Sequence, residues 1–143
     1  MIDNEAGEIL LVRKRGTKAF MQAGGKIEAG ESRFEALARE LYEELNLVVA
    51  RSEARFIGEF ACEAANEPGN RLEAHVFHVR CQRNQLVPAA ELSEAIWVTL
   101  EAAAALRLAP LTRDYLLPIA AARRHSIVAR TLGECHLAEK PFS

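Results

Sequence analysis

Three glutamates at the spacing of one helix face, preceded by a glycine-rich turn, are the residues in this chain most able to do chemistry. Glu40, Glu43 and Glu44 stand in the i, i+3, i+4 relation that brings side chains together on a helix. Like charges so placed cost a helix about 0.2–0.5 kcal/mol per pair, and a hard divalent cation held through carboxylate oxygens offsets that repulsion. Such a cluster alone is more often a solvated acidic face. The turn in front of it points to a ligand instead, because Gly24, Gly25 and Gly30 let backbone groups come close and Lys26 adds a positive point charge.

A helix must carry these acids, and the sequence marks both of its ends. Ser32 followed by Glu35 is a capping-box pattern that starts it near Arg33. Phe34, Leu37, Ala38, Leu41 and Leu45 form one apolar stripe, and the acids fall on a different face. Asn46 is suited to a left-handed residue that closes the helix.

The whole stretch resembles the signature of the Nudix hydrolases, the MutT-related family, written G-x5-E-x7-R-E-U-x-E-E-x-G-U with U aliphatic. Gly25, Glu31, Arg39, Glu40, Leu41, Glu43, Glu44 and Leu47 fill it, and Asn46 replaces the last glycine. Ala23 stands where many relatives have proline. The motif covers about a sixth of the chain, and its spaced charges make chance agreement improbable. The resemblance implies an α/β (α+β) fold, an α/β/α sandwich with a mixed central sheet. It also implies divalent-metal-dependent hydrolysis, with Mg²⁺ or Mn²⁺, of the pyrophosphate linkage of a nucleoside diphosphate joined to another moiety, such as a (d)NTP. By the same resemblance Glu40, Glu43, Glu44 and the Gly24 carbonyl are metal ligands, and Glu40 is the leading base. Arg39 and Glu31 steady helix and loop. Arg13, Arg15, Lys26, Gly25 and Phe20 are substrate-side residues, and Glu91 and Glu94 are the two candidates for a distal-loop acid. The alternative function is a catalytically silent Nudix-fold module that binds or senses a nucleotide; such modules usually have gaps among these acids.

Composition agrees with a small-molecule enzyme. A chain of 143 residues, half of them hydrophobic, fits a single domain over 1–143 with one sizeable core. A formal charge of −2 argues against a nucleic-acid polymer or a membrane surface as partner. Cys62, Cys81 and Cys135 show no C-x-x-C spacing, and the chain has neither a signal peptide nor a long apolar run. They read as reduced thiols of a cytoplasmic protein.

Around the motif the chain alternates strand and turn signals. Ile9 to Val12 reads as a buried strand. Relatives carry another strand before the Asp3–Gly7 turn, of which only Ile2 remains here, so an uncovered apolar edge is expected to draw the chain into a homodimer. Arg13, Lys14 and Arg15 end that strand, either near substrate phosphates or as a solvated turn, and Phe20 either stacks on a base or packs under the loop. Val48 and Val49 begin a strand, and Arg55–Ala64 with Leu72–Cys81 form an antiparallel hairpin. His75 and His78, three apart in a strand, face opposite ways and cannot share a metal. Glu94–Val98 is a further strand and Leu100–Leu108 a short helix. Thr112 caps a last helix, with Tyr115, Leu116, Ile119 and Ala120 inward and Pro118 kinking it. The tail 125–143 is loose or docked on a neighbour.

Overall fold

The computed structural model describes residues 1–64, 67, 69–82 and 86–125. Among them five strands form one mixed sheet: β1 (Ile2–Asp3), β2 (Ile9–Lys14), β3 (Ala54–Glu63), β4 (Arg71–Arg80) and β5 (Leu92–Val98), in the order β3-β4-β1-β2-β5. β1 runs parallel to β4, with Ile2 opposite Val79, and every other pairing is antiparallel.

The run Ile9-Leu10-Leu11-Val12 is buried throughout because β2 is covered on both faces. Leu10 and Val12 join Leu41, Leu45, Val79 and Leu92 on the side of α1 (Arg33–Leu45). Ile9 and Leu11 pack with Ala103 and Leu108 on the other side, against α2 (Leu100–Ala104) and α3 (residues 110–125). This is the expected sandwich of helices on both faces of a mixed sheet.

The first strand is present, and it overturns the expectation of an uncovered edge. β1 is two residues long, yet it fills the gap between β4 and β2, and beyond it Met21 exchanges two backbone hydrogen bonds with Val12 (2.9 and 2.8 Å). β2 therefore has β5 on one side and β1 with Met21 on the other, and the ground for a homodimer through that edge falls away.

Several smaller expectations also change. Val48 and Val49 are not in a strand; a 3₁₀ turn (Arg51–Glu53) leads into β3. α2 ends at Ala104, short of Leu108, which instead bridges to Phe20. Thr112 is not a cap, since α3 starts at Pro110 and Thr112 opens a π segment, Thr112–Leu116. Pro118 lacks an N–H and its ring crowds the carbonyl four residues back. The wider turn just before it, with the Leu117 N–H donating to the Thr112 carbonyl, lets the helix run on past the proline. The wider turn also rotates Tyr115 outward: Leu116 is buried, whereas Tyr115 is exposed with its ring beside Phe60. The tail from residue 126, Cys135 included, lies outside the described residues.

Candidate active site

α1 begins where Ser32 caps it, its Oγ accepting from the Glu35 N–H at 3.1 Å. It ends where Asn46 adopts φ 52°, ψ 34° and donates its N–H to the Tyr42 carbonyl. Asparagine tolerates this left-handed conformation better than branched residues do, so the departure from the glycine of the signature leaves the turn intact.

Arg39 is the hub that ties helix to loop. Its Nε and Nη2 grip both oxygens of Glu31 at 2.8 and 2.9 Å, Nη2 also reaches the Lys26 carbonyl at 3.0 Å, and Nη1 meets Glu40 at 2.7 Å. The paired hydrogen bonds from Arg39 hold the Glu31 carboxyl below its usual pKa, as a fork-to-fork pair should. Glu31 further accepts from the Glu28 N–H at 2.9 Å, and Glu28 itself lies 3.9 Å from Arg39. The sequence singled out Arg39 and Glu31; the second acid, Glu28, has no spacing signal that would reveal it.

The acids occupy three different environments. Glu43 is half exposed and 3.5 Å from Arg39. Glu40 presses against the glycine turn so closely that a Cβ on Gly25 would overlap its carboxyl group. Glu44 is only 4% exposed and accepts from the Gly24 N–H at 3.2 Å. Burial, with Glu40 and Glu91 nearby, outweighs that hydrogen bond and Lys14, and pushes Glu44 up to about 7. Helical spacing expected an acidic face apart from the core; the Gly24–Gly25 turn folds over that face and puts Glu44 inside. Among the described residues no three His, Cys, Asp or Glu side chains converge as a metal cage, and Glu40 is turned to Arg39 at 2.7 Å.

The basic residues after β2 divide. Arg13 donates to Glu94 at 2.8 Å and to the Thr17 carbonyl at 2.7 Å, so these two charges neutralise each other across β2 and β5. Lys14 lies 3.6 Å from Glu91 and within electrostatic reach of Glu44, which makes Glu91 rather than Glu94 the acid that faces the cluster. Arg15 is exposed, with its backbone N–H on the Glu91 carbonyl. Lys26 is exposed too. Phe20 takes the packing alternative, against the cluster of Ile9, Leu11 and Leu108. His75 and His78 separate as expected, toward Glu59 and Asp3.

Comparison with known proteins agrees with this geometry. The NUDIX domain family matches residues 1–118. An uncharacterized Nudix hydrolase of Pseudomonas aeruginosa is 35% identical over 111 residues, 72% of this chain and 62% of its own length; the chain thus spans about three fifths of that curated relative. The MutT protein of Methanosarcina mazei Go1 superposes with a TM-score of 0.70 at 25% identity, over 87% of this chain and 90% of its own. The solution structure of the E. coli ORF135 protein gives 0.64 at 28%, over 85% and 88%. With the signature residues gathered around one glycine turn and a family match over residues 1–118, the chain belongs to the Nudix family of hydrolases.

Proposed function

We propose that this protein hydrolyses the pyrophosphate linkage of a nucleoside diphosphate joined to another moiety, a (d)NTP or related nucleotide, with Mg²⁺ or Mn²⁺ as cofactor. The observation that carries this reading is the placing of Glu44: a buried carboxylate under the Gly24 turn, with Glu40 and Glu91 close enough to act on it electrostatically, so that a cation among these acids would offset their mutual repulsion. The donor set is all oxygen, which suits a hard cation. Glu40, Glu43 and Glu44, with the Gly24 carbonyl, would hold it. A bound divalent ion supplies neutralisation of the phosphates and acidifies the attacking water.

The chain's own residues do the rest. Gly24 and Gly25 keep the turn thin enough for the substrate phosphates to approach the acids, and Lys14 and Lys26 add positive charge at its borders. Glu40 accepts the proton of the water as its oxygen attacks phosphorus in line, and the bridging P–O bond breaks to release the second phosphate group. Arg39 holds Glu40 and Glu31 in place. Among the described residues Cys62 and Cys81 form no disulfide, in keeping with the proposed cytoplasmic setting. Among the described residues no helix is long and apolar enough to cross a membrane.

One observation favours the silent binding module, namely the 2.7 Å grip of Arg39 on Glu40. Phosphate release from a panel of nucleotides and nucleotide sugars, with a coupled phosphatase and with Mg²⁺, Mn²⁺ or EDTA, separates the two. Metal-dependent release from any member supports hydrolysis. Nucleotide binding without release under every metal supports the module.

A further inference from the structure

At the start of α1, on the same side of the sheet as the acids, a cavity of about 250 Å³ is lined by Ser32, Arg33, Phe34, Arg51, Phe56 and Phe77. Phe77, buried on β4, is its floor; Phe34 and Phe56 stand edge-on to it at 6.3 and 5.3 Å between ring centres. Two guanidinium groups flank the rings, Arg33 lying 3.6 Å above the Phe56 centre and Arg51 5.6 Å from that of Phe34. Arg33 meets an acid only at 3.9 Å, Glu59, and among the described residues Arg51 forms no ion pair. Phe56 stays 37% exposed, so that an aromatic surface remains open at the mouth of the cavity.

We infer that this slot holds the nucleobase of the substrate, stacked among Phe34, Phe56 and the Arg33 guanidinium, with Arg51 toward the sugar-phosphate side. The volume is below the roughly 300–1,000 Å³ of sites that enclose a drug-sized ligand, which suits a base rather than a whole nucleotide. Arg33 and Glu40 are seven residues apart, hence two turns along nearly one line and roughly 10 Å along the axis. A base in the slot therefore sends its phosphate chain along α1 toward Glu40. The other cavity, about 280 Å³ beside Glu59, Glu73 and His75, presents two acids and is unsuited to a phosphate-bearing ligand. The inference rests on the proposed nucleotide chemistry, and binding without turnover tests it separately.

The test is an NMR titration of the metal-free protein with AMP and GMP, and with ribose 5-phosphate as the baseless control, repeated on Arg51→Glu and Phe56→Ala. The expected result is perturbation of Arg33, Phe34, Phe56 and Phe77 by the nucleotides but not by ribose 5-phosphate, with Kd weakened roughly tenfold or more in Phe56→Ala, as loss of a stacking partner predicts, and weakened in Arg51→Glu, where a carboxylate replaces the guanidinium on the sugar-phosphate side. Shifts that map elsewhere, equal binding of ribose 5-phosphate, or unchanged Kd in Arg51→Glu with its melting temperature intact would overturn the inference. Monophosphate binding in the slot by a protein that hydrolyses nothing would leave it standing and sink the hydrolase reading alone.

Discussion

Glu44 is under two opposing demands, since folding buries it while the proposed chemistry needs it ionised. Its pKa lies near 7 in the fold against a usual 4.5, so the folded protein holds more protons than the unfolded chain between those values. The contribution of Glu44 to stability then falls as pH rises through that window, by on the order of 3 kcal/mol in total. Measured against the parent in thermal melts of the metal-free protein, Glu44→Gln should therefore gain stability as pH rises from 5 to 8, be at least as stable at pH 8, and lose most activity. A variant that unfolds, or that turns over fully at saturating Mg²⁺, contradicts this account. Gly25 makes a sharper residue-scale case. Gly25→Ala places a methyl group in the space of the Glu40 carboxyl, so kcat should drop at least tenfold while the melting temperature moves by only a few degrees. Parent-like kcat in the Gly25→Ala variant would show that Glu40 need not touch the turn.

At the scale of the element, α1 depends on its two ends. Asn46 holds a positive φ, which a branched side chain resists. Asn46→Gly should be neutral or mildly stabilising, and Asn46→Val should cost about 1–2 kcal/mol; urea midpoints of the two variants measure the gap, and equal midpoints would refute a left-handed residue there. The loop before α1 depends on Arg39. Arg39→Lys keeps the charge but not the fork, and is expected to free the loop, seen as faster amide exchange at Glu28 and Glu31. Exchange as slow as in the parent would mean that Arg39 does not fasten the loop.

At the scale of the whole molecule, a polar tie joins β1, β4 and α3. Asp3 accepts from Arg80 at 2.7 Å and pairs with His78 at 2.8 Å. Arg123 reaches His78 Nδ1 at 3.2 Å, and because a guanidinium can only donate, the ring proton belongs on Nε2, toward Asp3. Burial would raise Asp3, but the hydrogen bonds from His78 and Arg80 win and lower it below 3.8. A depressed carboxylate stabilises above its unfolded pKa and loses that contribution as pH falls through the folded value. Asp3→Asn should therefore cost about 1–2 kcal/mol at pH 7, with the gap to the parent narrowing below pH 4. A gap that persists at pH 2 would place the loss in packing instead.

Alternation and spacing already determined much of this protein from the sequence. The buried run Ile9–Val12, the capped and αL-closed helix and the β3–β4 hairpin all depend on contacts within a few residues, and the Arg39–Glu31 pair is expected from the resemblance of the charge pattern to the family signature. Tertiary structure decided what depends on residues far apart in the chain. A strand of two residues has no periodicity to read, so β1 and the covered edge of β2 appear only once β4 pairs with it. Pairing of β2 with β5 matched Arg13 to Glu94 and left Lys14 and Glu91 beside the cluster. The π turn before Pro118 rotated Tyr115 to the surface. Helical spacing could place Glu44 next to Glu40, but only the glycine turn folding back over α1 could bury it, and burial is what gives that carboxylate its altered proton affinity.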